Sequence, residues 1–201
     1  MHASKKSPAV QQHKTLALDY VSTHREIVEK CKSGNRRAQF ELYRLYSKAM
    51  YNVCLRMVRQ EQDAEDLLQN AFVDVFTKLD SFRYQSSIGA WIKRIVVNNC
   101  INHLKRNRLL VEELNESGSE IQAEDELPIP GLSVEVVKKA LEKLPDGYRV
   151  VFSLYLLEGY DHKEIAEILD ITEATSKSQY SRAKKKVRDL IIEEQSFKEC
   201  S

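Results

Sequence analysis

Eight apolar residues, Ala64, Leu67, Leu68, Ala71, Phe72, Val75, Phe76 and Leu79, follow one another at steps of three and one. That is the 3.6-residue period, and it places all of them on one face of a helix. A helix with so wide an apolar face needs other elements to bury it. The segment QDAEDLLQNAFVDVFTKLDSF carries Asp63, Glu65 and Asp66 in its first turn, where the helix dipole favours acids. Its opposite face carries Asp66, Gln69, Asn70, Val73, Asp74 and Thr77, which is either an ordinary solvated face or a docking surface. The partners are expected to be helices as well. Six Gly and four Pro in 201 residues are too few for the turns of a β-rich protein.

The flanking segments fit an all-α chain. REIVEKCK predicts a short helix stopped at Ser33-Gly34-Asn35, and a long helix is expected from Arg36 to about Arg59. SFRYQSSIGA reads as a loop with Gly89 near its end, leading into the helix of IGAWIKRIVVNNCINHLKRNR. After position 132 four short helices are expected. Ser133 can cap VEVVKKALEKL, and Pro145 breaks the chain before DGYRVVFSLYLLEG. Asp161 with Glu164 forms a capping box for HKEIAEILD, and Thr172 caps EATSKSQYSRAKKKVRDLII.

A formal net charge of +1 hides a segregated pattern. Residues 25–110 carry 16 Lys and Arg against 9 acids. Residues 111–132 carry seven acids and no Lys or Arg, together with Gly118, Pro128, Pro130 and Gly131 and no aromatic. That composition is a linker's. The expected organisation is therefore a flexible segment 1–24, a basic helical domain 25–110, an acidic flexible linker 111–132, a helix-turn-helix domain 133–195 and a tail 196–201. Basic regions are candidates for binding polyanions. The four cysteines, Cys31, Cys54, Cys100 and Cys200, form no CxxC pair and no zinc spacing, so free thiols in a reducing cytosol are expected. No signal peptide and no stretch of the ~18 apolar residues of a membrane span is evident, so a soluble, cytoplasmic protein without membrane insertion is expected.

Two segments carry chemistry. In the C-terminal one, a short helix, the tight link Asp170-Ile171-Thr172 and a basic helix describe a helix-turn-helix, whose second helix fits the major groove. Ile165, Ala166, Leu169 and Ile171 are the expected packing residues, with Tyr180, Ala183 and Val187 the inward face of the second helix. Lys177, Ser178, Ser181 and Arg182 lie nearer the other side. Asp170 stands where Gly is often found, and Ser176 where an apolar residue is expected. The bland alternative is a helical hairpin with a basic end.

The other segment is Ile88 to Arg108. It holds the chain's single Trp, four Asn and six basic residues counting His103. At 100° per residue Arg94, Asn98, Ile101, Lys105 and Arg108 share a stripe with Trp91 at its edge, while Ile92, Ile95, Val96 and Cys100 line the other side. Asn99 and His103 interrupt that apolar side and need partners if buried. Basic residues track phosphates, aromatics stack on unpaired bases and amides bond exposed base edges, so the combination suits an opened strand. The loop from Phe82 to Ala90 can supply walls for an extruded base. A core tryptophan with unrelated surface charge is the alternative.

Taken together, QDAEDLLQNAFVDVFTKLDSF, GAWIKRIVVNNCINHLKR and the run from Val136 to Val187 resemble the parts of a bacterial RNA polymerase sigma factor of the extracytoplasmic-function group. The first resembles the helix that docks on core polymerase, the second the promoter-melting helix, the third the C-terminal DNA-binding domain. The resemblance implies a transcription initiation factor, not an enzyme, with no cofactor and no metal. It implies that Asp66, Gln69, Asn70 and Asp74 meet core RNA polymerase. Arg83, Tyr84, Ser87, Trp91 and Asn98 would capture the minus-ten strand, with Arg94, Lys105 and Arg106 on its backbone. Lys177, Ser178, Ser181 and Arg182 would contact the minus-thirty-five element of promoter DNA. Gln179 replaces an arginine common in the family. An anti-sigma factor is an expected partner, and the acidic linker is expected to mimic nucleic acid in polymerase channels. Two other readings stay open: a stand-alone dimeric regulator, and an enzyme acting on nucleic acid. The latter lacks an HExxH, a Gly-rich phosphate loop or a metal-ligand cluster.

Overall fold

The computed structural model describes residues 24–106 and 134–199. Residues 1–23 of the expected flexible start, the linker, the Ser133 cap, Arg108 and Cys200 lie outside the described residues. Among the described residues eight α-helices follow in order: α1 Arg25–Lys32, α2 Arg36–Val58, α3 Glu61–Lys78, α4 Ile88–Arg106, α5 Val134–Lys143, α6 Asp146–Phe152, α7 His162–Leu169 and α8 Glu173–Glu199. A 3₁₀ turn, Leu79–Ser81, ends α3, and a π-helical turn, Ser153–Leu157, extends α6. There is no strand among the described residues, so the all-α expectation holds. The last helix is longer than expected, at 27 residues.

Contacts divide the chain into two compact units, Met1–Asn52 with Glu65–Asn99, and Val53–Ala64 with Cys100–Ser201. In the first, the apolar stripe of α3 is buried at Leu67, Leu68, Ala71, Phe72 and Val75. Leu42, Tyr46 and Met50 of α2 and Ile92, Val96 and Val97 of α4 are buried in the same unit. Each large apolar side chain so buried contributes about 2 kcal/mol. Tyr43 of α2 meets Phe72 edge-on, with ring centroids 4.8 Å apart. The stop after α1 is built as the sequence suggests. Gly34 takes φ 80°, a left-handed conformation favoured by glycine, and Asn35 Oδ1 accepts from Ala38 N–H at 3.0 Å to start α2.

In the second unit Ala140, Leu141 and Leu144 pack with Phe152, Ala183, Val187 and Ile191. Here also sits Arg149, 2% exposed. Its guanidinium donates to the carbonyls of Arg56 at 3.1 Å and Met57 at 2.7 Å, and pairs with Asp146. Arg56 in turn pairs with Glu158. The last carbonyls of a helix lack intrahelical partners, and a buried cation is tolerated when its donors are so occupied. Cys31, Cys54 and Cys100 are free and buried.

Candidate nucleic-acid interface

The loop before α4 is shorter than expected, because Ser87 caps the helix. Its hydroxyl accepts from Ala90 N–H at 3.2 Å and its carbonyl from Trp91 N–H at 3.1 Å. Ser87 is thus occupied as a helix cap. Gly89 falls inside the first turn of α4 instead of in the loop. A Cβ at Gly89 would lie 2.8 Å from the Tyr46 ring, so the absence of a side chain lets α4 start against α2.

Part of α4 is core. Ile92, Val96, Val97, Cys100, Ile101 and Leu104 are buried. Ile101, placed on the basic stripe by its 100° angle, is therefore an apolar core residue: burial on two sides of α4 takes in that edge of the stripe. Arg94, Asn98 and Arg106 stay exposed, and Trp91 and Lys105 are half-buried. Trp91 leans on Phe82 with ring centroids 5.3 Å apart. The two polar interruptions find partners. Asn99 donates to Asp74 Oδ2 at 3.1 Å and to the Ile95 carbonyl at 3.1 Å, and His103 Nε2 lies 3.7 Å from Asp63 Oδ2.

On α3, Asp66, Gln69 and Asn70 are exposed, together with Val73 at 66%. Val73 gives this polar face an apolar spot that a partner could cover. Asp74 stands apart from them. It is half-buried, bonded to Asn99 and 3.3 Å from Lys78, and the Asn99 amide holds its carboxyl below the usual range. In the loop, Arg83 is exposed. The half-buried Tyr84 has φ 59° and donates its hydroxyl to Glu29 of α1. Sequence reasoning passes over Glu29, whose only signal is its place on the helix that stops at Gly34.

The helix-turn-helix is built as its residues suggest. Asp161 accepts from Glu164 N–H at 2.8 Å, and Glu164 accepts from Asp161 N–H at 2.9 Å, closing the capping box. Asp170 takes the left-handed conformation at φ 61°, so aspartate does here what Gly does elsewhere, and Ile171 N–H reaches the Ala166 carbonyl at 3.0 Å. Thr172 Oγ1 accepts from Thr175 N–H at 3.0 Å. Ser176, the unexpected polar residue, is fully buried and bonded to His162 Nδ1 at 3.0 Å. His162 stacks on Tyr155, with ring centroids 4.4 Å apart, and meets Tyr180 edge-on. Burial, and then the neighbouring Lys177, push its pKa down. Gln179 is 1% exposed. It is an interior residue, so the family's arginine contact has no surface counterpart at this position. Lys177 is exposed and 2.7 Å from Glu173, while Ser178, Ser181 and Arg182 are half-buried around the same face.

Two regions of the chain match family models: residues 42–109 match the model described as Sigma-70 region 2, and residues 135–187 the one described as Sigma-70, region 4. A relative, the ECF RNA polymerase sigma factor SigW of Bacillus subtilis, is 30% identical over 179 residues, covering 81% of this chain and 96% of that one. The chain belongs to the ECF sigma factors. The ECF RNA polymerase sigma-E factor of Escherichia coli K12 is also similar, at 28% identity over 84% of this chain and 94% of its own. Among solved structures, the sigma factor RpoE in complex with the anti-sigma factor NepR from Bartonella quintana shares the fold, with a TM-score of 0.52 and 24% identity over 75% of this chain and 94% of that chain. CnrH in complex with the cytosolic domain of CnrY gives 0.51 and 24% over 83% and 96%. As an ECF sigma factor the protein is a transcription initiation factor that works through RNA polymerase. No helix among the described residues is long and apolar enough to cross a membrane.

Proposed function

We propose that this sigma factor binds core RNA polymerase in the cytoplasm and reads one promoter twice, the minus-thirty-five element as duplex and the minus-ten element as melted strand. Region 25–110 is the polymerase-binding and strand-reading domain, 133–195 the duplex reader, and 111–132 the linker between them. Asp66, Gln69 and Asn70, with Val73 added and Asp74 acting from its bond to Asn99, meet the polymerase. Lys177, Ser178, Ser181 and Arg182 face the upstream duplex, through base edges and phosphates. Arg83, Trp91, Arg94, Asn98, Lys105 and Arg106 hold the opened strand, and Tyr84 and Ser87 shape the loop beside them. The chain has no catalytic role, and an anti-sigma factor is its expected regulator.

The observation that carries the reading is α4. It keeps Arg94 and Asn98 in solvent one turn apart, beside half-buried Trp91, while Ile92, Val96 and Val97 of the same helix are buried. A cation, an amide and an aromatic at that spacing suit a phosphate, a base edge and a base face. Unpairing costs a few kcal/mol per base and stacking contributes ~1–3 kcal/mol per base, so polymerase must supply the remaining contacts.

The test is run-off transcription with purified core polymerase on a promoter library. New start sites are expected with this chain. They should fall by about tenfold or more with Asn98→Ala, and likewise with Lys177→Ala plus Arg182→Ala. Failure to bind core, together with tight binding of promoter duplex by the chain alone, would replace this reading by a stand-alone regulator.

A further inference from the structure

Three non-glycine residues among the described ones have positive φ: Arg59, Tyr84 and Asp170. Arg59 and Asp170 end helices, where the left-handed conformation is common. Tyr84 ends no helix. A bulky side chain in that region is a genuine outlier, and the surroundings must hold it there. They do so from α1. The Tyr84 hydroxyl donates to Glu29, and its ring lies 4.9 Å from the Arg25 guanidinium and 4.8 Å from the Lys32 ammonium. Lys32 also donates to the Phe82 carbonyl at 3.0 Å, and the Phe82 ring sits 4.8 Å from the Tyr84 ring. Burial and the Glu29 carboxylate push the Tyr84 hydroxyl up to about 12, so it remains a donor. The Tyr84 hydroxyl in turn holds the Glu29 carboxyl below its usual range. The cavity bordered by Arg25, Val28, Phe82, Tyr84 and Ile88 is about 10 Å³, room for roughly one water. A cavity of that size is far smaller than a base, and the Tyr84 ring already has its neighbours.

We propose that Glu29, with Arg25 and Lys32, forms a latch on Tyr84 that holds loop 82–87 in a single shape and thereby sets base selectivity in the melted strand. These are positioning residues, and the proposal rests on the strand-reading role given above. The physical reason is preorganisation. A fixed loop presents Arg83 and its backbone groups to one base and leaves them mismatched to another, whereas a loose loop adapts to several.

The test has two readouts on the full chain, with Glu29→Gln and Tyr84→Phe as variants that keep shape and remove the charge or the hydroxyl. In the free protein, amide exchange across residues 83–87 is expected to rise roughly threefold in both variants. With core polymerase, run-off from templates carrying each base in turn through the minus-ten element should show the ratio of best to worst base falling by a similar factor at one or two positions, with core affinity unchanged. Exchange that stays at the wild-type rate overturns the latch. Faster exchange with wild-type base ratios overturns its role in selectivity. The wild-type lane separates this from the parent reading: a wild-type chain that binds core yet prefers no base defeats strand reading itself, whatever the loop does. Tyr84→Gly adds a control, since it relieves the backbone while deleting the latch. Selectivity should fall even if thermal stability rises, and retained selectivity would count against the latch.

Discussion

His162 turns a packing detail into a pH dependence. Its ring is stacked on Tyr155 and bonded to the buried Ser176, and its folded pKa lies below the unfolded 6.5 because burial disfavours the cation. The folded state therefore prefers neutral imidazole. The stability this contributes is fully present above pH 6.5 and is lost as pH falls through that value toward the folded pKa. The thermal midpoint is expected to drop between about pH 7.5 and about pH 5.5, and to drop less in His162→Gln. Equal pH profiles for the two proteins would remove His162 from the account. Arg149 gives a second expectation. Replacing it by Ala leaves the Arg56 and Met57 carbonyls without its guanidinium and Asp146 with only the Arg59 guanidinium, 3.6 Å away. The cost should be about 3 kcal/mol, read by urea denaturation, with a loss under about 1 kcal/mol contradicting the arrangement.

The start of α4 depends on two devices, the Ser87 cap and the bare Gly89 against Tyr46. Gly89→Ala adds helix propensity worth up to about 1 kcal/mol but drives a Cβ to 2.8 Å from a buried ring. Overpacking costs about 1–3 kcal/mol, so a net destabilisation of roughly 1 kcal/mol is expected in chemical denaturation. A stabilised variant would mean that α2 and α4 have room to separate. Most helix ends are legible in the sequence because their signals are local. The Asp161–Glu164 box, the Thr172 cap and the Gly34 stop each involve residues within a few positions of one another. The start of α4 is harder to read. Ser86 and Ser87 are adjacent and of one type, and only the Ser87 hydroxyl accepts the capping bond.

For the chain as a whole, the assignment to the sigma factors comes from the order of its segments, and that order is readable without coordinates. The all-α class is also legible, because a 3.6-residue period in Ala64 to Leu79 and a scarcity of Gly and Pro leave few other ways to bury so much apolar surface. The candidate faces are partly legible. Arg94 and Asn98 are exposed as their angles on the helix imply, and Asp66, Gln69 and Asn70 share a solvent face with Val73.

Periodicity and capping are local properties, set by residues within about four positions of each other, and the sequence by itself determines them. Whether a given polar side chain is free or already engaged is not local. Ile101 joins the core, Gln179 is interior and Asp74 is tied to Asn99, because neighbouring helices close over those edges. The Tyr84 hydroxyl reaches a carboxylate 55 residues away, and the Arg149 guanidinium a carbonyl 92 residues away. Such pairings exist only once packing has brought distant segments together, since hydrogen bonds act over about 3 Å and the chain between the partners carries no trace of them.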